Sequence, residues 1–198
     1  MNDYFAVFGL PRKLTVDADA LQRRFYELSR KHHPDFHHTA SPDEQAAALE
    51  RSALVNRAYR ALRDPLARVE YLIALEEGRE TKEGAEVKPK VPMQLLEEML
   101  EVQEALQEAK GSGLEPVSAA RLRAERQRLG DRQQALAAEI IARGADWDLQ
   151  VDRGADRRPL LDWFKHALAT RAYLRTVIED LGQALGEEQE AHASHRRH

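Results

Sequence analysis

Residues 17–42, DADALQRRFYELSRKHHPDFHHTASP, set two helices and the turn that joins them. Leu21, Phe25, Leu28 and His32 recur at spacings of 4, 3 and 4, the repeat of one helical face, and Asp17 or Asp19 is placed to cap its start. Pro34 has no amide hydrogen and pushes His33 out of helical geometry, so this helix stops at about the second histidine. A loop from Pro34 to about Ala40 follows. Ser41 then opens a second helix, with Pro42 suited to the first turn and Glu44 three residues on to complete a capping box. That helix runs to Arg63, and its Leu49, Ala53, Val55, Tyr59 and Leu62 are expected to face Leu21, Phe25 and Leu28 in an antiparallel hairpin.

On the N-terminal side, Tyr4, Phe5, Val7, Phe8 and Leu10 form a compact apolar opening fit to plug the side of the hairpin. On the other side Asp64-Pro65 ends the second helix, and a shorter one is expected over Leu66–Glu77. Residues 78–92, with two glycines, two prolines and alternating charges, read as an exposed linker. Three long helical patterns follow, Met93–Lys110, Val117–Arg143 and Ala155–Leu185, interrupted by Gly111-Ser112-Gly113 and by a loop around Gly144 and Gly154. Leu122, Leu129 and Leu136 recur every seven residues, as do Leu160, Ala167, Leu174 and Leu181, which is the seam of an antiparallel bundle. The expected fold is all-α: a helical hairpin with short flanking helices over 1–77, a three-helix bundle over 93–186, and a disordered polar tail over 187–198.

Composition narrows the function classes. Thirty Lys and Arg against 34 Asp and Glu give a net charge of -4, which supplies no whole-molecule hold on nucleic acid or anionic lipid. Arg121, Arg123, Arg126, Arg128 and Arg132 lack the interleaved aromatics of a base-stacking platform. The chain has no cysteine, so disulfides, thiolate metal ligation and thiol nucleophiles are excluded from it. No run approaches the ~20 apolar residues of a membrane span, and the opening residues lack a basic start with an apolar run. A cytoplasmic location and protein partners are expected, with no membrane, nucleic acid or cofactor. His32, His33, His37 and His38 lie close in sequence, but metal binding there is expected to be adventitious rather than a metal site.

His33-Pro34-Asp35 sits where the hairpin turns, and on its own it is compatible with plain helix-end chemistry: a histidine near the negative dipole end, a proline stop, an aspartate turn former. In the first bundle helix, Leu95, Met99, Val102 and Leu106 already make a core stripe, leaving Leu96 and Leu100 over. Those two point toward a sector holding Glu97, Glu101 and Glu104, so they form either an exposed apolar patch with an acidic rim or an unusually broad core face.

The tripeptide does not stand alone. Asp3-Tyr4-Phe5 and Phe8-Gly9-Leu10 precede it, and Asn56-Arg57-Ala58-Tyr59, Leu62, Asp64-Pro65, Arg68 and Tyr71 follow. This ordered set resembles the J domain of DnaJ-type co-chaperones over 1–77, and with the helical region beyond the linker the chain resembles the HscB family of iron–sulfur cluster assembly. The resemblance implies a non-enzymatic co-chaperone that stimulates the ATPase of a DnaK-type, HscA-like chaperone and delivers an IscU-like scaffold protein to it. It assigns chaperone binding to His33, Pro34 and Asp35, with Arg23, Tyr26, Arg30 and Lys31 on the basic helix face. It assigns scaffold binding to Leu96, Glu97, Leu100, Glu101, Glu104 and, on the last helix, Tyr173. Glu27 stands where many such proteins are basic, and Phe36 and His37 stand where lysine or arginine is commoner, which suggests a matched, specialised chaperone. The alternative is a general J-domain adaptor recruiting a different client.

Overall fold

A computed structural model describes residues 3–36, 39–78, 93–100, 102–104, 106–107 and 116–186. Among the described residues there is no strand. They divide into two compact units. One gathers the described residues of Met1–Glu86 with Ile140–Phe164, the other those of Val87–Glu139 with Lys165–His198.

The first unit begins with α1, Tyr4–Phe8, capped by the Asp3 carboxylate, which accepts from the Phe5 and Ala6 amides at 3.0 and 3.4 Å. Gly9 ends it at φ 68°, a left-handed conformation that glycine adopts without steric penalty. Helix α2, Ala18–Lys31, starts on Asp17, whose carboxylate accepts from Asp19 and Ala20. It stops with His32 as its C-cap, two residues before the proline. Instead of an irregular loop, the chain then makes a 3-10 turn over Pro34–Phe36, closed by the Phe36 amide donating to the His33 carbonyl at 3.0 Å. Helix α3, Pro42–Arg63, carries the reciprocal capping box: the Glu44 amide donates to Ser41 Oγ and the Ser41 amide donates to Glu44 Oε2. Asp64 takes an extended conformation, ends α3 and caps α4, Pro65–Glu76, by accepting from the Ala67 amide at 2.8 Å.

Helices α2 and α3 pack against each other, with the Phe25 and Tyr59 rings stacked at 4.0 Å between centroids. The face that α3 buries is Ala48, Val55, Ala58 and Leu62. Leu49, expected in that face, is 60% exposed. Position 48 lies seven residues before Val55, two turns along the same buried face, while position 49 is rotated about 100° from it. Tyr71 on α4 stacks on Tyr4 at 4.3 Å and accepts the Tyr4 amide hydrogen through its hydroxyl at 2.8 Å. Burial pushes the Tyr71 phenol up to about 12.

Where a loop around Gly144 and Gly154 was expected, the chain forms a ten-residue helix, α7 (Gly144–Arg153), between α6 (Pro116–Ala142) and α8 (Arg158–Ala184). The glycines mark its ends: Gly144 begins it, and Gly154 caps it at φ 61°. Helix α7 is built into the first unit. Buried Asp148 accepts the Leu14 amide at 2.6 Å and the Thr15 amide at 2.9 Å, and Trp147, fully buried, donates from Nε1 to the Arg12 carbonyl at 3.1 Å. Lys13 pairs with Asp152 at 2.6 Å. A Cβ on Gly144 would meet Leu14 Cβ at 3.1 Å, so the close approach of α7 to the segment before α2 favours the missing side chain. On the opposite side of the same peptide group, buried Arg68 donates to the Leu14 carbonyl at 2.6 Å and to the Leu62 carbonyl at 2.7 Å. Desolvation lowers the Arg68 pKa, while Asp64 and Asp148 oppose that shift.

The second unit starts with α5, Met93–Glu98, followed by further helical residues at 100, 102–104 and 106–107. Its core joins Met99, Val102 and Leu106 to Leu122 and Leu129 of α6 and to Leu174, Val177 and Leu181 of α8. The heptad positions Leu122, Leu129, Leu174 and Leu181 are therefore inward, as the seam requires, and Leu136 is half-buried. Of the expected linker over 78–92 only Gly78 is described; its other residues and the tail over 187–198 lie outside the described residues. Among those that are described, no helix is long and apolar enough to cross a membrane.

Candidate functional site

The end of α2 and the turn after it gather the first set of expected residues. His33 and Asp35 are exposed, with side chains 51% and 83% accessible. They address each other: the Asp35 amide donates to His33 Nδ1 at 3.3 Å, and Asp35 Oδ2 stands 3.5 Å from the same nitrogen. Nδ1 is thus the ring nitrogen engaged within the turn. Pro34 begins the turn. Two local hydrogen bonds, from the Asp35 amide to His33 Nδ1 and from the Phe36 amide to the His33 carbonyl, and a fixed proline φ hold this stretch of backbone before any partner arrives. The Asp35 side chain is exposed, and an exposed carboxylate is an acceptor of the kind that forms charge-assisted pairs with arginine.

Arg23, Tyr26, Arg30 and Lys31 are all exposed on α2. Tyr26, 61% exposed, receives a long hydrogen bond from Gln22 at 3.4 Å. Glu27 is held by Arg24 at 2.8 Å, so the acidic departure on this face is offset by its own neighbour. The result is a positive helix face running toward an acidic turn tip. Nothing in it pairs a nucleophile with a buried base, and no group of three or more His, Asp or Glu among the described residues is placed to hold a metal. His37 and His38 lie outside the described residues.

The second set sits on the first helix of the bundle unit. Leu96 is 40% exposed and Leu100 59%, while Met99, Val102 and Leu106 fill the core behind them. Neither leucine belongs to the buried core cluster, and both lie on the exposed side of the helix. Glu97 and Glu104 are exposed beside them, and Glu101 lies outside the described residues. Tyr173 on α8 is half-buried and packs against the core cluster of the second unit. One neighbour escaped the sequence reading: Met93 is 70% exposed. Its spacing of three to Leu96 and seven to Leu100 puts it on the same helical face, a signal present in the sequence.

Residues 3–71 match the DnaJ domain family, a span that holds α1, α2, the His33-Pro34-Asp35 turn, α3 and most of α4. Two solved structures resemble the chain over nearly all its length. The chaperone HscB from Vibrio cholerae is 24% identical with a TM-score of 0.51, covering 98% of this chain and 99% of that one. Human co-chaperone protein HscB is 26% identical with a TM-score of 0.60, covering 92% of this chain and 82% of that one. The chain is an HscB-like J-domain protein. Its J domain implies a DnaK-type chaperone as partner, and both similar proteins are chaperones by name. Within this J-domain protein, Asp148 and Trp147 lie far outside the matched residues 3–71, yet belong to the unit that contains them.

Proposed function

We propose that this J-domain protein stimulates ATP hydrolysis by an HscA-like, DnaK-type chaperone and brings to it an IscU-like scaffold for iron–sulfur clusters, in the cytoplasm. The observation that carries the reading is the presence of two exposed surfaces: a preformed His33–Asp35 turn beside a positive helix on one unit, and Leu96 and Leu100, exposed outside the core cluster, on the other. On this reading Asp35 accepts from an arginine of the chaperone, while Arg23, Arg30 and Lys31 meet an acidic surface and Tyr26 is covered between them. The hydrolysis is the chaperone's own; this protein shifts its conformational equilibrium by binding one state more tightly. Leu96 and Leu100 insert into an apolar depression of the scaffold, rimmed by basic groups that answer Glu97, Glu101 and Glu104, with Tyr173 contributing from α8. The cluster is cargo on the scaffold.

The test is steady-state ATPase of the chaperone with scaffold and this protein, separately and together. Synergy is expected, and strictly additive rates would refute delivery. Leu96→Ala/Leu100→Ala is expected to weaken scaffold binding by about tenfold or more, since the exposed surface of both leucines, larger at Leu100, is covered at the contact. A general adaptor for another client would keep the ATPase response and show no scaffold binding at all.

A further inference from the structure

We propose that Phe36 is an apolar anchor for the DnaK-type chaperone and the residue by which this chain selects its chaperone. The inference rests on the reading that the His33–Asp35 turn is the chaperone-binding element. Phe36 is 63% exposed, so the fold itself does not use the ring as core. Its place in the turn is secured by its amide, which donates to the His33 carbonyl at 3.0 Å and would do so with almost any side chain. The ring contact described for it is edge-on to the His33 imidazole, at 6.1 Å between centroids and 72° between planes. A large aromatic held in water next to two polar residues becomes favourable when a partner covers it.

The partner that covers it is fixed by position. Phe36 follows Asp35 directly and closes the turn that begins at His33, so a protein surface that receives Asp35 also lies over Phe36. The electrostatics of the face agree. Glu27 is paired with Arg24, leaving Arg23 and Arg30 without an ion pair among the described residues. The complementary chaperone therefore presents three features side by side: an acidic patch for α2, an arginine for Asp35 and an apolar depression for Phe36. A chaperone with a charged or filled surface at the third feature binds this chain poorly.

The experiment titrates the cognate chaperone's steady-state ATPase with wild type, Phe36→Ala, Phe36→Leu and Phe36→Lys. An anchor acts on binding, so Phe36→Ala should raise the half-saturating concentration by about five- to thirty-fold, the loss expected for a mostly exposed phenylalanine that becomes buried. Its plateau should match wild type. Phe36→Leu should retain most of the affinity. Phe36→Lys should combine a raised half-saturation with a steeper salt dependence, since it exchanges an apolar contact for a screened one. Half-saturation in Phe36→Ala within twofold of wild type would overturn the anchor while leaving the co-chaperone reading intact. A lowered plateau at unchanged half-saturation would assign the ring to orienting His33 and would also overturn it. Absence of stimulation by the wild-type chain would overturn both readings together.

Discussion

Replacing Asp148 with alanine should unfold the first unit at markedly lower denaturant, although the residue lies 77 positions beyond the last residue of the DnaJ-domain match. The carboxylate accepts two backbone hydrogens, from Leu14 at 2.6 Å and Thr15 at 2.9 Å, and both Asp148 and Leu14 are buried. Charge-assisted bonds to buried amides contribute about 1.5–3 kcal/mol each, and the variant leaves both donors without an acceptor, so a loss of about 3–5 kcal/mol is expected. Arg68, holding the carbonyl of the same Leu14, loses a favourable charge besides. For a unit of roughly 100 residues the same loss lowers Tm by about 15–30 °C. Asp148→Asn should fall between, because its amide oxygen accepts one hydrogen while its NH2 opposes the other. Urea unfolding followed by Trp147 fluorescence and by far-ultraviolet circular dichroism reads the change, and hydrogen exchange at the Leu14 and Thr15 amides locates it. If Asp148→Ala unfolds within about 0.5 kcal/mol of wild type, the size of an ordinary surface substitution, the reasoning is wrong.

Other outcomes are equally specific. His33→Gln should abolish stimulation of the chaperone ATPase with the melting curve unchanged, since its side chain is 51% exposed; a shifted Tm would show a structural role instead. Tyr71 gives a pH signature. Its folded pKa of about 12 exceeds the ordinary value of 10.0, so the unfolded chain releases this proton first, and stability contributed below pH 10 is lost as pH rises toward 12. Denaturant titrations over that range should show a loss of about 1–3 kcal/mol that largely disappears in Tyr71→Phe. Ser41→Ala removes one half of the α3 capping box and should cost about 1 kcal/mol by the same unfolding assay, whereas Ser41→Asp should retain nearly all of it.

The hairpin was legible because its signals are local. Asp17, the Ser41–Glu44 pair and Asp64 each act within three residues of themselves, so capping chemistry marks the helix starts without knowledge of the rest. The surplus of Leu96 and Leu100 over a completed stripe was legible for the same reason, as spacing on one helix. Leu49 was misread because a helix face admits either neighbour, and only the approach of another helix chooses Ala48 over the larger side chain. Helix α7 was missed altogether. Gly144 and Gly154 read as loop formers when they are its two ends, and the partners of Asp148 lie 134 and 133 residues away, beyond the reach of any local pattern. The acidic departure on the basic face, Glu27, was visible in the sequence, but its Arg24 partner settled what it means for the charge there.

The peptide between Leu14 and its neighbours, clasped by Arg68 on one side and Asp148 on the other, ties heredity as well as structure. A growing chain exposes its first helices before Asp148 has been synthesised, so the carboxylate half of that clasp can form only late in synthesis. A gene fusion that copies residues 1–77 alone would transplant an unfinished object. A transplant that also carries the Asp148 helix would bring along the acceptor for the Leu14 and Thr15 amides.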